Sequence, residues 1–437
     1  MKMKPNFLTA GWLLLVMAVL AGPAQAAGTY GYPITDPYAA TVIGTPGEFQ
    51  APLLPGREVH HKRVELTVFK DRTQPDLLWF DSKLHNGLIY QNGKAPLIFI
   101  IAGTGGSYRS YKVRDLANYF YQAGFHAVAL SSPTHPNFVA AASSTQYPGS
   151  LENDARDLYR VMQLLRQQIQ NEIEVSDFYL IGYSLGATQA AFVAKLDDQY
   201  KAFNFKKVFM INPAVNLYNS VKMLDGLYDR TVGNNPARQT EIIDKLADRM
   251  VSTYRQEEIV GFGENFLGED ALYLAFRDTK PSKIRILPAI IGMSFRNSVA
   301  NMVFVTDVAN NAGYIKPKNL ILYPTDSLTD YYNVAFQVSF VNYFNDLYVP
   351  FYQSKQPGLT AQDLIKASGL GTIEDYLKHA DKIGVVTNQD EIILAPGELD
   401  FLRRVFGKRL RVYPHGGHCG NINYTENVAY MLQFFKN

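Results

Sequence analysis

The chain has 437 residues, 47% hydrophobic and 19% charged, a globular composition with material for a large core in two or three domains, or in one domain carrying an insertion. A formal net charge of +2 gives no electrostatic case for a nucleic-acid partner. The single cysteine, Cys419, excludes an intrachain disulfide.

Residues 1–26 read as a secretory signal peptide. Lys2 and Lys4 supply its positive end, Phe7 to Leu20 an apolar stretch, and Ala24-Gln25-Ala26 a small-x-small cleavage site. The apolar run is short for a membrane span, so the mature chain is expected to start near Ala27 with no transmembrane segment. It is expected to be exported, to a periplasm in preference to full secretion. Residues 27–94 are expected to form an N-terminal arm and antiparallel edge strands. The arm, about 28–55, is rich in Gly, Pro, Tyr and Thr without periodicity. Val64 to Phe69 alternates as a half-buried strand. Leu77–Phe80 and Gly87–Tyr90 are the expected neighbouring edge strands. His60 and His61 are adjacent and would point to opposite faces of a strand, so no metal site is expected there or elsewhere.

A buried strand, Ala95–Ile101, runs into Ala102-Gly103-Thr104-Gly105-Gly106-Ser107. A helix over 110–123 and a strand over 125–130 follow, the rhythm of a parallel sheet. The Gly-rich loop lacks the ending of a P-loop and the spacing of a dinucleotide fingerprint, so no cofactor is expected. It suits an oxyanion loop, whose glycines let a backbone N–H approach a substrate. The loop 131–150 carries His135, a weaker candidate base. An amphipathic helix over 154–170 buries Leu158, Val161, Met162 and Leu165.

The strand Phe178–Ile181 leads into Gly182-Tyr183-Ser184-Leu185-Gly186, a G-x-S-x-G sequence followed by Ala187, Ala190, Ala191 and Ala194. A nucleophile on a sharp strand-to-helix turn leaves room only for hydrogen two residues to either side. The alanines let the following helix lie close on a sheet, with its N-terminus toward developing negative charge. Ser184 is the candidate nucleophile. After the strand Lys206–Pro213, residues 216–375 lose the alternating order and read as helical. One helix is expected around Ile242 to Met250 and another over Val334–Leu347. This block reads as a cap over the strands' C-terminal ends, and any of its aromatics facing the cleft would make part of the substrate apolar. The βα rhythm returns with a short helix over 372–378 and a strand, Ile383–Thr387, ending in Asn388-Gln389-Asp390-Glu391. A helix over 397–406 and a strand over 409–413 lead into Pro414-His415-Gly416-Gly417-His418-Cys419-Gly420. A last helix is capped by Thr425.

A serine hydroxyl needs a base to take its proton and a carboxylate to orient that base. The order Ser184, Asp390, His418, each at a strand end, with the Gly103-Thr104-Gly105-Gly106 loop upstream, resembles the alpha/beta-hydrolase superfamily over roughly 95–215 and 376–437. The resemblance implies an α/β fold with a mostly parallel eight-strand sheet. It implies a first catalytic part over 95–215, a cap over 216–375 after the sixth strand, and a second catalytic part over 376–437. It makes Ser184 the nucleophile, His418 the base and then acid, and Asp390 the orienting carboxylate. Thr104 and Leu185 N–H would hold the oxyanion, each contributing about 3 kcal/mol, with Gly103, Gly105 and Tyr183 against the substrate. Ala102 stands where many relatives have His. Glu391 neighbours Asp390 and is expected to point elsewhere. Cys419 is expected to be a small buried thiol diverging from His418. The implied activity is that of an exported serine hydrolase acting on a small-molecule or lipid-like ester. An acyltransferase, a peptidase or lyase, or a noncatalytic binding protein could use the same fold.

Overall fold

In a computed structural model, residues 30–53, 62–233 and 287–436 are described, with positions 235, 237 and 240. The described residues from Tyr32 onward group into one unit. The expected signal segment, His60, His61 and the helix around Ile242 to Met250 lie outside the described residues. Among the described residues no helix is long and apolar enough to cross a membrane.

Eight strands form a single sheet: β1 (Lys62–Leu66), β2 (Leu84–Ile89), β3 (Ala95–Ile101), β4 (His126–Leu130), β5 (Val175–Tyr183), β6 (Val208–Ile211), β7 (Ile383–Asn388) and β8 (Leu410–Tyr413). Their spatial order is β1-β2-β4-β3-β5-β6-β7-β8. β2 is antiparallel to both β1 and β4, and every later pairing is parallel. The apolar run of β3 is buried almost throughout, as a central strand covered on both faces must be. This is the mostly parallel eight-strand sheet that the family resemblance implies. Leu77–Phe80 is a departure. Asp76–Ser82 is a short 3-10 helix entered through Pro75, and Trp79 and Phe80 stay exposed. The residues that pair with β1 are those of β2 instead.

The arm also contains more structure than its composition suggests. Asp36 accepts a hydrogen bond from Ala39 N–H, Pro37 occupies the first helical turn, and helix α1 (Pro37–Ile43) ends at Gly44 with φ of 73°. A cap, a proline at the helix start and a positive-φ glycine at its end are local signals for a helix of about two turns, and Ala39, Ala40, Val42 and Ile43 bury its inner face. Helices α2 (Tyr111–Gln122), α3 (Pro136–Ala141), α4 (Leu151–Ile169) and α5 (Leu185–Tyr200) follow among the strands. In α5, Ala187, Ala190, Ala191 and Ala194 are fully buried, so small side chains do permit close approach to the sheet.

Between β6 and β7 the chain leaves the sheet for a helical insertion containing α6 (Leu217–Thr231) and α7 (Leu287–Asn310). α6 and α7 pack backbone to backbone at Gly292, where a Cβ would stand 2.4 Å from Tyr228 N. Arg296 crosses the same interface, its guanidinium 4.2 Å from the Tyr228 ring centroid and 3.5 Å from carboxylate oxygens of Asp225 and Asp229. Burial lifts the Asp225 carboxyl to about 6 against the pull of Arg296. The single helix expected over 334–347 is broken. α8 (Thr329–Gln337) stops at Val338, and Ser339 and Asn342 form a reciprocal capping box that starts α9 (Phe340–Tyr343).

Candidate active site

Ser184 stands between the last residue of β5 and the first of α5 with φ 55° and ψ −127°, a strained position for a residue with a Cβ. Its N–H donates to Ile211 O at 2.9 Å, tying the turn to the neighbouring strand. The flanking glycines are obligatory. A Cβ on Gly182 would lie 2.1 Å from Gly186 O, and one on Gly186 would lie 2.3 Å from Ile101 O. The sharp turn thus needs both positions bare, as the G-x-S-x-G pattern anticipates.

His418 comes from the loop after β8, where Gly416, Gly417 and Cys419 have φ of 152°, 56° and 59°. The turn carries the imidazole back over the elbow. His418 Nε2 lies 2.8 Å from Ser184 Oγ, and Nδ1 lies 2.9 Å from Glu391 Oε1. Glu391, not the expected Asp390, therefore faces the histidine. β7 ends at Asn388, so the strict alternation of a strand no longer governs residues 389–391. In the turn that follows, the longer Glu391 side chain reaches inward. Asp390 accepts hydrogen bonds from Gly416 N–H at 3.2 Å and Gly417 N–H at 3.0 Å, and so shapes the histidine loop without touching the ring.

The Glu391 carboxylate is fixed from two sides. Asn212 Nδ2 donates to Oε2 at 2.6 Å, and Ile393 N–H donates to Oε1 at 3.2 Å. Its side chain is 1% exposed against 16% for His418, so water screens the pair weakly. Burial works to lower the His418 pKa. The Cys419 sulfur and the Glu391 carboxylate, through charge and hydrogen bonding, oppose that effect and raise it. Cys419 is buried as expected, but it does not diverge from His418. Its left-handed backbone turns Sγ to 4.0 Å from His418 Nε2. The other sequence candidate for a base, His135, caps α3 by accepting from Asn137 N–H at 3.2 Å. Burial holds its pKa near 4, and it is absent from the cavity described next.

A cavity of about 160 Å³ opens beside Ser184 and His418. Gly103, Thr104, Gly105 and Gly106 form one wall, with Tyr183 and Cys419 nearby. Leu224 from α6 and Ile291, Ser294, Phe295 and Ser298 from α7 form another, while Thr41 and Val42 reach in from α1. The insertion presses directly on the Gly-rich loop: a Cβ on Gly105 would stand 2.6 Å from Ser298 Oγ. Leu185, the first residue of α5, puts its N–H at that helix's N-terminus, where backbone donors point outward without intrahelical partners. Among the described residues no group of His, Cys, Asp and Glu could hold a metal ion. A hydroxyl on an imidazole whose second nitrogen faces a buried carboxylate is an arrangement that can generate a serine nucleophile.

No protein-family model and no curated protein matches the chain. Among solved structures it is similar to a dienelactone hydrolase from Anabaena variabilis, with 18% identity over 37% of this chain and 67% of that one, at a TM-score of 0.27. It is also similar to Est1E from Butyrivibrio proteoclasticus, with 12% identity over 82% and 96% of the two chains and a TM-score of 0.35. A Pyrococcus furiosus esterase gives 10% identity over 89% and 97%, with a TM-score of 0.38. The strand order, the antiparallel second strand and the serine elbow after β5 give this chain the alpha/beta-hydrolase architecture.

Proposed function

We propose that the protein is a serine hydrolase that cleaves a carboxylic ester with a short, apolar acyl part. The observation that carries this reading is the continuous hydrogen-bonded chain from Ser184 through His418 to Glu391, opening on a cavity. In this reading His418 Nε2 takes the Ser184 proton as Oγ attacks the ester carbonyl. Glu391 holds Nδ1–H and stabilises the imidazolium that forms. The tetrahedral intermediate collapses as His418 returns the proton to the departing alcohol, leaving an acyl-serine. Water, deprotonated by the same imidazole, attacks the acyl carbon and releases the acid and Ser184. Thr104 N–H and Leu185 N–H hold the oxyanion, at the wall of the cavity and at the head of α5. Gly103, Gly105 and Tyr183 contact the substrate.

Leu224, Ile291 and Phe295 support an apolar acyl group, and a volume of about 160 Å³ favours a short one. The insertion acts as a cap, supported by the contact of Ser298 with the Gly-rich loop. Export rests on the sequence of residues 1–26. The test is labelling of the mature protein with a fluorophosphonate, read by intact mass, beside Ser184→Ala. One adduct on the wild type and none on the variant is expected, followed by faster turnover of p-nitrophenyl acetate or butyrate than of the palmitate. An adduct that persists in Ser184→Ala would assign the nucleophile elsewhere.

A further inference from the structure

The histidine loop is held by the N-terminal arm as well as by the sheet that precedes it. His418 N–H donates to Thr41 Oγ1 at 2.9 Å, and the Thr41 hydroxyl donates in turn to Pro37 O at 2.7 Å. The hydroxyl proton is thus committed to the α1 backbone, which leaves the oxygen's lone pairs for His418. Two further bonds run alongside. His415 Nε2 lies 2.8 Å from Tyr32 O, and Thr45 Oγ1 donates to Gly420 O at 2.9 Å. The contact is close enough to require glycine on the loop side, since a Cβ would stand 2.1 Å from Pro37 O at Gly417 and 2.1 Å from Ala40 O at Gly420.

The loop itself is poorly suited to hold one conformation alone. Gly416, Gly417 and Cys419 all have positive φ, and glycine pairs are conformationally permissive. On the opposite side, α1 packs on α7, and Thr41 and Val42 line the same cavity as Ser184. We infer that Thr41 is a positioning residue for His418: its hydroxyl fixes the backbone of the histidine so that the imidazole spans Ser184 and Glu391. The inference rests on the proposed role of His418 only where activity is the readout, because the position of the ring can be measured directly.

The test compares Thr41→Val, which keeps the shape and removes the acceptor, with Thr41→Ser, which keeps the hydroxyl. Imidazole NMR of His418 reads the ring's pKa in each. Hydrolysis of p-nitrophenyl butyrate reads kcat and KM, and thermal unfolding reads the fold. The expected result is a His418 pKa in Thr41→Val at least one pH unit below wild type, because the ring drifts from the Glu391 carboxylate. A 10- to 100-fold lower kcat with KM within twofold is expected alongside. Thr41→Ser should return both readouts to within about threefold of wild type or a few tenths of a pH unit. An unchanged His418 pKa in Thr41→Val overturns the inference, as does an equal loss in both variants, which would make the contact one of packing. If the wild type hydrolyses no ester while Thr41→Val still shifts the His418 pKa, the positioning role stands and the hydrolase reading falls.

Discussion

Two adjacent carboxylates at one strand end have different surroundings, and kinetics should separate them. Glu391→Gln preserves shape but removes the charge facing His418 Nδ1. By analogy with loss of the orienting carboxylate in serine proteases, kcat should fall by about 10,000-fold. Asp390→Asn loses only part of its hold on Gly416 and Gly417, and about a tenfold loss or less is expected, since the neutral side chain still offers one acceptor. Comparable losses in the two variants, measured as kcat on one ester, would remove the distinction. Ser184 and His418 were legible in the sequence because each carries a backbone signature, a G-x-S-x-G elbow and a Gly-His turn. The carboxylate that faces His418 carries none. At the end of β7 the choice between neighbours depends on where Asn212 and Ile393 stand, and those positions are fixed by tertiary structure. Thr41 was illegible for the same reason, being 377 residues from its partner.

At the level of elements, the crossing of α6 and α7 controls the cavity. Leu224 lies on one helix and Ile291 and Phe295 on the other, and Gly292 sets their separation. Gly292→Ala must push the helices apart, at a cost of about 1–3 kcal/mol. The expected signature is a lower denaturant midpoint together with a KM for butyrate esters raised several-fold, while fluorophosphonate still labels Ser184. An unchanged KM would show that the two helices do not shape the binding wall. Most strand positions and the buried face of α4 were readable from periodicity, and the close approach of α5 from its alanines, but the turn at Leu77–Phe80 was not. The break between α8 and α9 was not, because Val334–Leu347 keeps its apolar spacing across it while Ser339 and Asn342 cap a new turn. The arm misled in the opposite way: its glycine- and proline-rich composition concealed a helix set by Asp36 and Pro37.

For the molecule as a whole, the buried His418–Glu391 pair links protonation to stability. A histidine pKa raised above 6.5 in the folded state by Cys419 and Glu391 favours folding fully below pH 6.5, and that contribution fades as pH climbs through the raised folded value. Urea midpoints of the wild type should therefore decline above pH 6.5 more steeply than those of Glu391→Gln, which lacks one of the two groups that raise the histidine pKa. Parallel slopes would show that the pair contributes nothing to the pH dependence. The sheet was foreseeable from alternating strands and helices. The insertion was foreseeable from the loss of that rhythm after β6, although the contact of α7 with the Gly-rich loop required three-dimensional structure.

The bond between Thr41 and His418 also has a meaning in time. A ribosome makes Thr41 and, 377 residues later, His418. The arm must therefore wait, with Thr41 lacking the partner it will finally hold, until residue 418 has emerged. Ser184, Glu391 and the clamped His418 cannot come together on a nascent chain that still lacks residue 418. Synthesis and the assembly of this cluster are thereby ordered by topology alone.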